Sequence, residues 1–95
     1  MIFPSNMRFQ TGRLVVTPAV LKMASLDDIC RAVDRHVQGD WGDISDVARY
    51  ANELALHLGG QLLSVYRIRN GFELRVLTSA DRLTTTVHTP EDSVQ

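Results

Sequence analysis

The chain has very little cysteine, no long apolar run and no excess of charge of either sign. Its one cysteine, Cys30, has no second cysteine to pair with and lies in an apolar helical pattern, which favours a buried small side chain over a reactive thiol. No apolar segment approaches the roughly 18 residues that a membrane-spanning helix needs. The N-terminus also lacks the charged-then-apolar pattern of a secretion signal. We therefore expect a cytoplasmic protein without a membrane segment.

The charge balance limits the classes of partner. Ten basic and eleven acidic residues give a net charge of −1, which argues against a protein that grips the nucleic-acid backbone with a basic face. A small RNA-cleaving site stays possible, because a local cluster of charges matters more than the sum. His36, His57 and His88 lack the spacing of metal ligands. No glycine-rich phosphate loop precedes a helix, so we expect neither a metal nor a cofactor.

The only tryptophan lies in the stretch 37–45, which joins two predicted helices. Gly39 is placed to end the first helix in the left-handed conformation, and Gly42 permits a second sharp bend. Ser45 is a suitable N-cap for the helix that follows. Trp41 is therefore predicted at a helix junction. It is either a structural plug whose indole N–H bonds a carboxylate or carbonyl, or an exposed ring that stacks on a ligand or partner.

Two helices are predicted before that junction. Thr17 and Pro18 favour a short helix over 19–24, and Ser25 caps a second helix. The second helix repeats an apolar residue every four positions, at Ile29, Val33 and Val37. His36 lies near its C-terminal end, where the helix dipole favours a protonated imidazole.

The third helix has the clearest helical spacing in the chain and ends at Gly59-Gly60. The residues that carry this spacing are Val47, Ala51, Leu54, Ala55 and Leu58. Asn52 lies within the helix, and a partly buried asparagine needs hydrogen-bond partners. We expect it to bond the backbone of the Asp40–Asp43 turn.

The rest of the chain is typical of strands. Residues 61–69 alternate, Asn70-Gly71 is a strong hairpin signal, and 72–78 alternate again. A turn over 79–82 leads to a third strand over 83–88.

This element order predicts one α+β domain. A short N-terminal strand over 12–17 and two to three helices would pack on one face of an antiparallel three- to four-stranded meander. The short strand would join an edge of the sheet. Residues 1–11 are expected to be a loose lead-in, and 90–95 a polar tail.

Several polar residues lie on or beside the predicted strands. Ser64 and Tyr66 share a strand face, and Thr78 precedes the second turn. Asp81 and Arg82 belong to a site or, alternatively, are a turn residue and a solvated charge. The run Thr84–Thr86 is what a strand ordinarily contains. The candidate binding residues are Asp40, Trp41, Asn52, Thr78, Asp81 and Arg82.

Five short motifs follow one another over residues 36–85, within a longer stretch of about residues 12–90 that carries a family likeness. They are His36-x-x-Gly39-Asp40-Trp41-Gly42, Asn52-Glu53, Leu63-Ser64-x-Tyr66, Leu77-Thr78-x-Ala80-Asp81-Arg82 and Thr84-Thr85. Their order and spacing resemble a group of small uncharacterised proteins encoded on bacterial plasmids and other mobile genetic elements. The resemblance implies a mobile-element origin and carries no activity with it. Because no complete catalytic constellation is present, we expect a non-catalytic protein-interaction module that binds a protein partner or forms a homodimer.

The helices-then-sheet order is also similar to that of small ribonucleases and toxin nucleases of the barnase and RelE kind. Such enzymes need a general acid, a general base and a cation near the scissile phosphate. The similarity implies His36 as acid or base and Arg82 as phosphate clamp. Ser64, Tyr66 or Thr78 would be the orienting donors. RNA cleavage is thus the alternative function, and it requires His36 and Arg82 to share one cleft.

Overall fold

A four-stranded sheet with three helices on one face makes up the computed structural model, which describes residues 6–92. The elements, in chain order, are β1 (Arg13–Val16), α1 (Pro18–Met23), α2 (Leu26–Val37), α3 (Asp46–Leu58), β2 (Leu62–Arg67), β3 (Glu73–Thr78) and β4 (Thr84–His88). The predicted α+β class is confirmed.

The strands are ordered β1-β4-β3-β2 across the sheet. The β2–β3 and β3–β4 pairs are antiparallel, as predicted, whereas β1 runs parallel to β4. The edge position of β1 is therefore confirmed, but the sheet is not a pure meander. The helical half of the chain carries the backbone from β1 across to the far edge, and the meander then returns to β1.

Side-chain caps begin the three helices at the predicted residues. Thr17 accepts a hydrogen bond from the Val20 N–H, and Ser45 accepts one from the Ala48 N–H. Ser25 and Asp28 form a reciprocal capping box at the start of α2. These local signals fix where each helix enters, and hence which of its faces meets the sheet.

The main core lies between α2 and the inner face of the sheet. The predicted stripe of Ile29, Val33 and Val37 is buried there against Leu74, Val76 and Val87. The prediction for α2 is confirmed. Cys30 is a free thiol that is half-buried beside this stripe rather than fully enclosed.

The predicted third helix is confirmed, but of the residues that carry its spacing only Ala55 is buried. Val47 is 80% exposed, Leu54 41% and Leu58 79%, and Tyr50 on the same side is 67% exposed. The helix instead buries Asn52 and Ala55 against β2. We call the exposed set the α3 stripe; its members are Val47, Tyr50, Ala51, Leu54 and Leu58.

The described parts of the two chain ends are more tightly bound than predicted. Phe9 packs on the core, the Arg8 N–H bonds the Val37 carbonyl at 2.8 Å, and Thr11 is buried. At the other end, Asp92 accepts hydrogen bonds from Thr17 and from Thr89. Residues 6–11 are therefore not a loose lead-in, and the polar segment 90–92 is anchored to the fold through Asp92. Residues 1–5 and 93–95 of those segments lie outside the described residues.

Within residues 6–92, none of the helices has the length and apolar character needed to cross a bilayer.

Candidate functional site

His36 is fully buried and is the centre of a chain of side-chain hydrogen bonds. Its Nδ1 lies 2.6 Å from the Ser64 hydroxyl and its Nε2 lies 2.9 Å from that of Thr78. Thr78 continues to Thr85 at 2.7 Å, and Thr85 donates to the Thr11 carbonyl at 2.8 Å. We call Ser64, His36, Thr78 and Thr85 the hydroxyl chain. It links α2 to three neighbouring strands.

The direction of each hydrogen bond in the hydroxyl chain follows from its last acceptor. A carbonyl only accepts, so Thr85 donates to Thr11 and must accept from Thr78. Thr78 has then used its proton and accepts from Nε2–H of His36. The imidazole is therefore the Nε2–H tautomer, and its Nδ1 accepts from Ser64.

Burial keeps this histidine neutral. It lowers the pKa of His36 to about 3, and the positive charge of Arg82 adds to the effect. Phe9 and Trp41 both meet the imidazole edge-on, with ring centroids 5.1 and 5.7 Å away. The expected protonated imidazole at the helix end is thus corrected, because desolvation outweighs the helix dipole. A solvent-borne substrate has no path to either ring nitrogen in this arrangement.

Arg82 binds backbone carbonyls. Its Nη1 donates to the carbonyls of Gly60, Ser79 and Ala80 at 2.6–3.2 Å, and its Nη2 donates to that of Ala55 at 2.9 Å. The guanidinium therefore caps the C-terminal end of α3 and ties it to the β3–β4 turn. The backbone of Arg82 is left-handed, with φ 63°.

Replacing Arg82 is expected to destabilise the fold. Arg82→Ala should lower the free energy of unfolding by about 3 kcal/mol, because hydrogen bonds from a charged group are lost, although the Ala55 and Ser79 carbonyls keep a backbone N–H partner. Arg82→Gly should be less damaging than Arg82→Ala by about 1 kcal/mol, since glycine adopts φ 63° without strain. Urea unfolding followed by fluorescence of buried Trp41 measures both values.

The matched control for that measurement is Arg31→Ala. Arg31 forms an exposed ion pair with Asp27, so its loss should cost less than about 0.5 kcal/mol. Equal effects at Arg31 and Arg82 would contradict the capping role.

Trp41 is held on every side. It is 1% exposed, and its Nε1–H donates to Glu53 at 2.9 Å. The Glu53 carboxylate also accepts one hydrogen bond from Nη1 and one from Nη2 of Arg8. The ring of Phe9 is stacked on the indole at a centroid distance of 6.1 Å. This is the arrangement predicted for a structural plug, and it leaves neither indole face open to a ligand.

The remaining motif residues close the edge of β2. The side chain of Asn52 bonds both the N–H and the carbonyl of Leu63, not the Asp40–Asp43 turn as predicted. Two residues further along β2, the Val65 N–H donates to the Trp41 carbonyl and the Val65 carbonyl accepts from the Asp43 N–H. Gly42 sits in this bridge at φ 77°, where a Cβ would lie 2.1 Å from the Val65 carbonyl oxygen. These contacts protect an edge strand from pairing with another chain.

The two candidate aspartates are also engaged. Asp40 pairs with Arg35 at 2.7 Å, and its backbone carbonyl accepts from the Tyr66 hydroxyl. Burial raises the pKa of the Tyr66 phenol, which keeps it a donor. Asp81 accepts from the Ser79 hydroxyl and the Leu83 N–H, so it stabilises the turn as the alternative interpretation of this residue predicted.

Two adjoining pockets of about 290 and 510 Å³ open beside Tyr66. They share Arg35, Tyr66 and Arg67, residues that sequence reasoning did not select apart from Tyr66. Arg35 lies over the Tyr66 ring at 4.5 Å and pairs with Asp40, and Arg67 pairs with Asp43. The charges that line the pockets are therefore largely matched internally. Neither His36 nor Arg82 lines them.

The structure thus brings His36, Ser64 and Thr78 together inside the core, and it places Arg82, Asp81, Asp40 and Asn52 in separate backbone contacts. No group of three or more His, Cys, Asp or Glu side chains among residues 6–92 is arranged to hold a metal ion. Over the same range, large exposed apolar side chains occur on several elements, and α3 carries four of them, all in the α3 stripe. Its periodicity was visible in the sequence, but its exposure was not.

Comparisons of the chain with protein-family models, with curated proteins and with solved structures found no match.

Proposed function

We propose that the protein is a non-catalytic, cytoplasmic protein-interaction module, and that α3 is its binding element. The observation that carries this proposal is the α3 stripe, an apolar surface that runs the length of a 13-residue helix. Contiguous exposed apolar surface of this kind marks interaction sites in soluble proteins. The role as an accessory protein of a bacterial mobile element is part of the proposal and depends on the sequence resemblance alone.

The engagement of the polar residues supports a non-catalytic role. A general acid or base must reach a proton on its substrate, whereas His36 is enclosed by Phe9, Trp41 and the sheet. Arg82 is bound to four backbone carbonyls. No specific contact in the described part of the chain favours the ribonuclease alternative.

Photo-crosslinking in bacterial cells tests the proposal. A benzophenone amino acid in place of Tyr50 should give covalent adducts with protein, because the side chain stands in the α3 stripe. The same replacement at Leu21, an exposed leucine on α1, is the matched control and should give few or none. Purified protein should also leave RNA intact during long incubation.

Two results would overturn the proposal. One is the absence of position-50 adducts above the level at position 21. The other is RNA cleavage that is lost in His36→Gln while that variant remains folded.

A further inference from the structure

The α3 stripe occupies one continuous side of its helix. At 100° per residue, Val47, Tyr50, Ala51, Leu54 and Leu58 fall within an arc of about 100°. The buried residues Asn52 and Ala55 lie on a different side, against β2. The polar border of the stripe is formed by Asp46 and His57, which are both exposed. A helix that is apolar on two sides is suited to lie between its own sheet and a second apolar surface.

The stripe is nearly symmetric about the middle of α3. Val47 and Leu58 lie at equal distances from the point between Asn52 and Glu53, and so do Ala51 and Leu54. We infer that α3 packs antiparallel on α3 of a second copy of this chain, about a twofold axis through that point. Val47 then meets the partner's Leu58, and Ala51 meets the partner's Leu54. This inference rests on the proposed function and names its partner.

The polar border of the stripe favours the same pairing. In an antiparallel twofold pair, the same border of each helix meets its copy. Asp46, in the first turn of α3, therefore faces the partner's His57, which is in the last turn. In a parallel twofold pair opposite borders of the two helices meet, so Asp46 would face the partner's Ala48 and gain no polar partner. A membrane surface is a poorer partner for α3. Helices that bind membrane surfaces carry lysine and arginine along the polar border, whereas this border carries Asp46 and His57.

The exposed area suffices for a weak dimer. The stripe exposes on the order of 500 Å² per copy, so a twofold pair brings together about 1,000 Å², the lower limit of a specific interface. Three of its members, Val47, Tyr50 and Leu58, are 80%, 67% and 79% exposed. Pairing of the stripe alone is thus expected to give an exchanging dimer rather than an obligate one.

A charge exchange across the axis tests the pairing. Sedimentation velocity of the full chain over a range of concentrations should show a dimer of twice the 10.6 kDa chain mass. Val47→Lys and Leu58→Glu should each raise the dimer dissociation constant by about a hundredfold or more, since each places an unpaired charge in the interface twice. The double variant should recover the dimer, because the new ammonium on each chain would meet the new carboxylate on its partner.

Recovery is specific to the antiparallel pair, because positions 47 and 58 of one helix are about 16 Å apart and cannot bridge within a chain. Leu26→Glu, at a leucine 76% exposed on α2, is the control and should leave the dimer unchanged. Circular dichroism checks that every variant is folded.

Each result decides the inference. A monomeric wild-type chain, a dimer that survives Leu58→Glu, or a double variant that stays monomeric would overturn it. Adducts from position 50 that contain only another protein would also overturn it, while the proposed function would stand. Absence of any position-50 adduct would overturn both.

Discussion

Lowering the pH from 8 to 5 is expected to reduce the free energy of unfolding by about 2 kcal/mol through His36 alone. The folded-state pKa of His36 is about 3, below its ordinary value of 6.5. As the pH falls through 6.5, the unfolded chain binds a proton that the folded chain does not. The stabilisation is complete above pH 6.5 and is lost progressively towards pH 3.

The interval from pH 8 to 5 isolates the histidine from the carboxyl groups. Hydrogen bonds and ion pairs lower the pKa values of Asp40, Glu53 and Asp92. The stability that these carboxylates contribute is lost mainly below pH 5, where carboxyl groups of the unfolded chain begin to bind protons. Urea unfolding at a fixed protein concentration should show the decline, because a dimer would otherwise make stability depend on concentration.

His36→Gln is the decisive variant. Glutamine retains a donor and an acceptor for Thr78 and Ser64 but does not titrate, so the decline between pH 8 and 5 should disappear. His57→Gln, at an exposed histidine, should retain it. A decline that persists in His36→Gln would contradict the assignment to the buried imidazole. Nitrogen chemical shifts should independently show the neutral Nε2–H tautomer at pH 5.

The elements that sequence predicts well are those fixed by local chemistry. Ser25 and Ser45 cap helices because a side-chain oxygen reaches an N–H three residues on, which needs no tertiary context. Alternation along β2 and β3 likewise fixes their inner faces. The parallel pairing of β1 with β4 is a non-local event, and a four-residue strand carries little information about its partner.

The face of α3 that meets the sheet illustrates a different limit. The helix has one apolar side with Val47, Leu54 and Leu58, and another with Ala48 and Ala55. Periodicity shows which residues share a side, but it does not choose between two apolar sides. The small alanines allow a closer approach to β2, while Asn52 on the same side bonds the Leu63 backbone.

The neutral, buried state of His36 could not be predicted without knowing which residues cover its ring. Phe9 and Trp41 shield the ring, and both are distant from β2 and β4 in sequence. A usable signal was present on the strands: Ser64, Thr78 and Thr85 each fall on an inward-facing position between apolar residues. Three buried hydroxyls need partners. Thr85 finds its partners in Thr78 and the Thr11 carbonyl, and His36 on α2 supplies the partner of Ser64 and Thr78.

Trp41→Ala is expected to cost about 4 kcal/mol of unfolding free energy, or about 20 °C in Tm for a domain of this size. The substitution removes the largest fully buried side chain from the cluster with Ala55 and Leu62. It also removes an aromatic ring that packs against His36 and takes a donor from Glu53. Thermal unfolding followed by circular dichroism measures the change without the lost fluorophore.

Two further variants separate packing from hydrogen bonding and from ligand contact. Trp41→Phe keeps a ring but no N–H, so it should cost about 2 kcal/mol, between alanine and wild type. Phe72→Ala, at a half-exposed aromatic in the β2–β3 hairpin, should cost less than about 1 kcal/mol. If Trp41→Ala were as mild as Phe72→Ala, the indole would not be the plug between α3 and the sheet. A binding role for its ring would then regain support, because an aromatic kept for a ligand contributes little to stability when the ligand is absent.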